Sequence, residues 1–478
     1  MRKFLSIFFV FIFLLSFSSC RTKEETKLSN KSQKNEITMW NLFDDSDVFK
    51  GQIQAYQSKH PNVQITYRKF TNIDEYEELL VNEIAEGEGP DIFAMSNTWV
   101  DKHLKKISPF PVGKTSIPMN QQIFEDTFFH IASKDLIKNG AIYGMPLFID
   151  NLAIYYNKKI FQDNIPNSDK PAETWDEIKK QVSLITKKNN SIEKFSLSGI
   201  AMGRADNISR ATDILYGLML EHGTQMFNDA GNKAIFSSKQ SSAQGAGKPY
   251  QPFLEALSLY TSFSNSKYKN YSWNEEITSL SKDDKEIDPF LRGKTAMIFG
   301  YSYLYEDLLS KRKQIKTLGE STINEEDIGI IEFPQILSFA ETGKRDALAS
   351  YFPFTVSRNS KNSDIAWDFI QFLTSKDSLI DYYEKTKKPS SRKDLVEEQM
   401  LDPVYGVFAR QASYSKSFPE SFPVDSNFLN KVFINAIEEV NKNKTSLPDI
   451  ATKAEAQVNC QLEKKQNLGE SNIDCLKI

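Results

Sequence analysis

The sequence predicts an α/β protein built from two lobes, each a mostly parallel sheet flanked by helices, and three observations carry that expectation. Residues 36–95 alternate strand, helix, strand, helix, strand with turn residues between them. The alternation resumes near residue 141 and runs on to about residue 440. A chain of 478 residues is too long for one ordinary core. Composition fits a packed protein: 40% hydrophobic and 12% aromatic residues, with 34 Phe and 19 Tyr, exclude a disordered or low-complexity chain.

Residues 36–40 read as a strand and 47–59 as a helix. In 63–70, Val63, Ile65 and Tyr67 alternate as a half-buried strand requires. In 73–86, Tyr76, Leu79, Leu80 and Ile84 fall on one helical face, and 91–95 is a third, mostly apolar strand. Turns at 59–62 (K-H-P-N) and 87–90 (G-E-G-P) complete a βαβαβ unit, whose strands pair in parallel with both faces covered. Beyond it, apolar strands at 141–148 and 152–156 flank Ile149, Asp150 and Asn151. Thr174 and Glu177 have capping-box spacing at the start of a helix reaching about residue 187. Further strands are expected at 195–201, 295–299, 328–333 and 349–357, and helices at 208–221, 251–263, from 303, and at 364–373, 376–385 and 428–440. Residues 237–252, rich in Ser, Gln and Gly, read as a loop or insertion, and no repeat period stands out.

The N-terminus reads as a targeting signal. Arg2 and Lys3 precede an apolar run over residues 4–17, too short to span a bilayer as a helix, and small residues 18 and 19 lead into Cys20. The stretch L-S-F-S-S-C resembles a bacterial lipobox, with Phe17 where leucine is usual, so cleavage by ordinary signal peptidase stays open. That resemblance implies a signal peptide over 1–19, a multiply acylated Cys20, and a polar tether over 20–35. In an exported chain, Cys460 and Cys475 are expected to pair as a disulfide.

Catalytic signatures are few. The net charge of -4 offers no global attraction to nucleic acid, and 3 Cys with 4 His cannot build a thiolate-rich metal cluster, so neither a metal nor a cofactor is expected. Gly293-Lys294-Thr295 and Gly113-Lys114-Thr115 lack the first glycine of a phosphate-binding loop, and no G-x-S-x-G turn is present. Carboxylates such as Asp44, Asp45, Asp91 and Asp150 leave a glycoside hydrolase open, because their separation is a three-dimensional property.

Several stretches together are specific: I-T-M-W-N, G-P-D-I-F-A-M-S-N at 89–97, A-I-Y-G-M-P through Y-Y-N-K-K-I-F at 141–161, T-W-D-E at 174–177, F-L-R-G-K-T-A-M-I-F-G at 290–300, I-A-W-D-F-I-Q-F-L-T at 365–374, and K-P-S-S-R at 388–392. In this order they resemble the extracellular solute-binding proteins of the maltose-binding-like class, the receptor components of ATP-driven importers. The resemblance implies a type II periplasmic-binding fold, a non-enzymatic role, capture of a small solute such as a sugar, and partnership with ABC permease subunits in the inner membrane. It places the chain in the bacterial envelope, facing the periplasm or the cell surface. Lobe one would take 36–148 and 330–372, and lobe two 152–328 and 373–478, with crossings at 149–151, about 329, and 373. A hydrolase using paired cleft carboxylates, or a sensory or scaffold lipoprotein, is the alternative.

Such a cleft binds sugar hydroxyls with short carboxylates and amides and packs aromatic faces on the ring. The candidates are Trp40, Asn97 and Trp99 after strands of lobe one, each with a core or anchoring role as the alternative, and Asp44, where Asp44 or Asp45 capping the next helix is the alternative. Asp150 is expected on the cleft floor, Trp273 and Tyr301 as platforms from lobe two, Phe352 on the floor, and Arg392 bridging to a hydroxyl or a carboxylate. Trp175 and Trp367 are assigned to structure.

Overall fold

A computed structural model describes residues 34–189, 194–240, 250–277, 279, 284–419, 424–466 and 473–478. Cys20, with the expected signal segment and most of the tether, lies outside the described residues, as does most of the 237–252 loop. The βαβαβ unit forms at the start: β1 (Asn35–Leu42), α1 (Ser46–Lys59), β2 (Val63–Phe70), α2 (Ile73–Glu86) and β3 (Ile92–Ala94). Asn72 caps α2 by accepting from the backbone N–H of Asp74 and Glu75, and Gly87 ends it at φ 86°, a left-handed conformation that glycine adopts without strain.

β1 pairs in parallel with both β2 and β3, so the carboxyl ends of all three strands share one edge. Phe354–Ser357 joins this sheet antiparallel to β3. A second sheet, with Ala153–Asn157 between Met297–Gly300 and Ile328–Glu332, is antiparallel throughout, in contrast to the parallel pairing expected. The reason is direction. Ala153–Asn157 runs away from the crossing, whereas its two neighbours return toward it and end opposite Ala153.

Two apolar cores result. The first holds Ile37 through Ile149 and resumes at Ala349. The second holds Leu152 through Leu348 and most of the C-terminal region. The chain therefore passes between cores at 149–152 and at 348–349, where Asp150–Asn151 pairs antiparallel with Ser350 and Ala349. These positions differ from the boundaries expected at 329 and 373. Ile328–Glu332 is tied to the second sheet by its ladder, and helix Lys376–Thr386 packs on α1 through Gln52, which donates to the Ser378 carbonyl at 2.8 Å and to Asp381 at 3.1 Å. The third passage comes later, in the 395–412 stretch.

Other differences are local. Thr174 occupies the N-cap position of Trp175–Ile185, but its hydroxyl bonds the Glu177 carboxylate and no side-chain cap forms. A capping box does form at Ser338 and Glu341. The expected strand at 349–357 is two strands, Ala347–Ser350 and Phe354–Ser357, and the longest helix, Leu447–Gln466, follows the last element expected. Cys460 on that helix is disulfide-bonded to Cys475, with Cα atoms 5.7 Å apart. No helix among the described residues is long and apolar enough to cross a membrane.

Candidate functional site

The carboxyl edge of the first sheet and the passage between cores define one neighbourhood. β1 ends at Leu42, and Phe43 follows with φ 71°, its N–H donating to the Phe70 carbonyl at 2.8 Å. Its side chain is 43% exposed and meets Phe352 edge-on, with ring centroids 5.7 Å apart. Phe352 stands two residues beyond Ser350, the partner of Asp150 in the crossing ladder. One aromatic wall thus rises from lobe one beside the crossing.

The opposing wall comes from the end of Met297–Gly300. A Cβ at Gly300 would run into the Leu304 side chain, so glycine lets the chain turn directly into Tyr301, Ser302 and Tyr303. Tyr301 and Tyr303 stack with centroids 6.2 Å apart and planes 20° from parallel. The Arg210 guanidinium lies 5.4 Å and 5.6 Å from the two rings, contacts the Tyr303 hydroxyl, and pairs with Asp213 at 3.4 Å. Tyr301 is buried, while Tyr303 is 38% exposed.

Asp150 joins the crossing to this second wall. Its carboxylate accepts from the Ser302 N–H at 3.1 Å, the Ser302 hydroxyl at 2.7 Å, and the Asn151 N–H at 2.8 Å. Burial pushes its carboxyl up to about 6, against these donors and the Lys388 ammonium, which hold it down.

The other expected site residues divide. Asp44 is buried and fully engaged: it accepts from Lys388 at 2.5 Å and from the Tyr382 hydroxyl at 2.8 Å. Asp45 stands at the N-cap of α1 without a side-chain cap bond and pairs instead with Lys69 at 2.6 Å. Asn97 is buried among polar groups, donating to Ser417 at 2.7 Å and to Asp135 at 3.2 Å. Burial raises the Asp135 carboxyl while Ser417, Tyr351 and Asn97 oppose that rise as donors.

Four residues are not where a solute platform or bridge would need them. Trp40 is 8% exposed within the first core, packing on Phe70 at 5.0 Å and lying 4.9 Å from the Arg68 guanidinium, two residues of the neighbouring strand β2. Trp99 is buried edge-on to His103, with its indole N–H 3.4 Å from the Ser426 hydroxyl. Trp273 is fully buried in the second core and donates to Asn207 at 2.8 Å, since the irregular segment around it folds back under helix Pro252–Ser262. Arg392 is held by Asp394 at 2.9 Å and by the Thr374 carbonyl at 3.3 Å, which leaves it no free fork for a bridge. Trp175 and Trp367 lie in the two cores.

Sequence reasoning missed Phe43, Tyr303 and Arg210. The available signal was the aromatic beyond the end of the β1 apolar run and the spacing Y-S-Y after the M-I-F-G strand. Asp91, the other carboxylate considered for hydrolysis, opens β3 at the opposite end of the strand and is bonded by Thr38 and Ser360, so it does not pair with Asp150. Among the described residues no group of three or more His, Cys, Asp or Glu could hold a metal ion. Cavities of about 230 Å³ and 280 Å³ lie on lobe two, lined by none of the wall residues.

Known proteins share this architecture. The chain is 22% identical over 413 residues to the galactooligosaccharide-binding protein of Bacillus subtilis, covering 86% of this chain and 85% of that one. It is 25% identical over 167 residues to the maltotriose-binding protein of Pyrococcus abyssi, covering 34% and 33%. The solved structure of the sugar-binding protein MalE from Xanthomonas citri superposes with a TM-score of 0.70 at 14% identity, over 92% of this chain and 100% of that one. The bacterial extracellular solute-binding protein family matches residues 43–379, about seven-tenths of the chain, and the protein belongs to that family.

Proposed function

We propose that the protein captures a carbohydrate between its two lobes and hands it to ABC permease subunits, remaining attached to the cell envelope through an acylated Cys20. The observation that carries this reading is the pair of aromatic walls, Phe43 with Phe352 and Tyr301 with Tyr303, raised on either side of the Asp150 crossing in a member of a solute-binding family. Aromatic faces suit the apolar side of a pyranose, and Asp150, Arg210 and Asp213 supply charged hydrogen-bond partners for hydroxyls. The named relatives that bind maltotriose and galactooligosaccharide support the solute class.

A thermal-shift screen of the mature protein against maltotriose, galactooligosaccharides and monosaccharides tests it. A true solute at 100 times its dissociation constant adds about 2.7 kcal/mol of apparent stability. No stabilisation by any saccharide would remove the carbohydrate reading. Steady release of reducing ends, lost in Asp150→Asn, would replace binding with hydrolysis. For the anchor, Cys20→Ala is expected to shift the protein from the detergent phase to the aqueous phase, and equal partitioning of both forms would refute acylation.

A further inference from the structure

Apart from the walls beside Asp150, a cavity of about 280 Å³ opens on lobe two between helices Trp175–Ile185 and Pro252–Ser262. Its floor is apolar. Trp175, Leu259 and Ile336 supply it, and Trp175 is held by a stack on Phe299 and by its indole N–H, which donates to Glu221 at 3.2 Å. Tyr268 stands at the rim with 47% of its surface in solvent.

Hydrogen-bonding groups surround that floor. Asn270 is buried and donates to the Ser262 hydroxyl at 2.8 Å, which fixes its side-chain oxygen as an acceptor. Glu255, in the first turn of Pro252–Ser262, is exposed and has no ion-pair partner among the described residues. The Ser258 hydroxyl follows three residues on, on the same face of the helix.

This set of groups selects a class of ligand. A free carboxylate and an amide oxygen accept hydrogen bonds, so the ligand must bring donors. An anion is disfavoured: Glu255 repels it, and Lys179, which lines the cavity, is already paired with Asp176 at 2.6 Å. The His222 imidazole adds no positive charge near pH 7, because burial pushes it down to about 4. An ammonium would find acceptors but would meet Lys179 and an uncharged floor. A sugar ring suits both halves, with hydroxyl donors at its edge and C–H groups to lay on the floor and on the Tyr268 ring.

We propose that this cavity is a second saccharide site, which takes a single sugar ring or a neutral polyol of like size, with Tyr268 as the platform and Glu255 and Asn270 as acceptors. The inference goes beyond capture between the lobes. Every lining residue belongs to lobe two, so occupancy needs no movement of one lobe against the other.

Saturation-transfer NMR with maltotriose and with glucose as probes tests it. The background is the double variant Phe43→Ala, Tyr303→Ala, which removes the walls. The site variant adds Tyr268→Ala and Glu255→Gln, both at exposed positions, so matched melting curves are expected, and Lys267→Ala beside them serves as the control. Transfer to the sugar C–H groups should persist in the wall variant and in the control, and the affinity read from its concentration dependence should fall about tenfold in the site variant. Saturating the wall variant should leave the radius of gyration unchanged. Absence of transfer to either sugar in the wall variant, an equal affinity in the site variant, or tighter binding of an alkylamine than of either sugar would overturn the site. Failure of the capture reading shows differently: wild type and wall variant would then bind saccharide alike, while the Tyr268 comparison keeps its outcome.

Discussion

Phe43 combines a left-handed backbone with an exposed aromatic ring, two features that each cost stability in a phenylalanine. Their coincidence at the end of β1 fits a residue kept for contact with solute. Phe43→Ala is therefore expected to weaken saccharide binding by about 2 kcal/mol in calorimetry while leaving the ligand-free melt nearly unchanged. Phe43→Gly should raise ligand-free stability by up to ~1 kcal/mol through relief of the positive φ, even as binding falls. A large loss of folding stability in the alanine variant would make the ring a packing element instead. Asp150 carries the pH prediction. Its carboxyl, raised by burial to about 6, binds a proton more tightly folded than unfolded, so its contribution to stability is fully present below about pH 4 and is lost as pH rises through 6. Denaturant melts from pH 4 to 7 should show that window in wild type and a flatter profile in Asp150→Asn. The chain's passage between the two cores at Asp150 was expected from the family resemblance of the stretches around it; the side taken by Trp40 was not legible, because alternation along a strand does not say which face will be covered.

At the scale of elements, the periodic segments near the N-terminus were legible almost to the residue, since each strand or helix there has one clear period and a turn on either side. Helix Leu447–Gln466 was not. Its apolar positions, Ile450, Ala451, Ala454, Val458 and Leu462, are sparse and partly alanine, a weak signal that packing against the second core makes sufficient. Its link to Cys475 closes a loop of 15 residues, and reduction is expected to lower stability by about 3 kcal/mol in the chain-entropy account, read as an earlier denaturant midpoint. Trp273 differs in the opposite sense: the sequence suggests a platform facing solute, whereas the indole is fully enclosed in the second core and hydrogen-bonded to Asn207. Trp273→Ala should cost 3 to 5 kcal/mol of folding stability, about what a buried tryptophan in a core costs. Binding lost in that variant without loss of stability would return Trp273 to the cleft.

For the whole molecule, the decisive property is that the chain passes between two separate cores, one passage being the two-residue ladder of Asp150–Asn151 with Ala349–Ser350. Such a junction resists separation of the lobes while permitting their rotation. A ligand can shift that rotation only by as much as it prefers one state over the other, and a saccharide touching both Phe43 and Tyr303 has that preference, because it gains the second wall only on closure. Saturation with a stabilising saccharide is then expected to reduce the radius of gyration, and Phe43→Ala and Tyr303→Ala should each diminish the change although they lie on different lobes. The double variant discriminates between mechanisms. If both rings grip one solute in a closed state, their effects on affinity couple, and the sum of the single losses exceeds or falls short of the double loss by more than ~0.5 kcal/mol. Strict additivity, with a radius that stays constant at saturation, would mean that solute binds one lobe alone and that the crossing is a static joint.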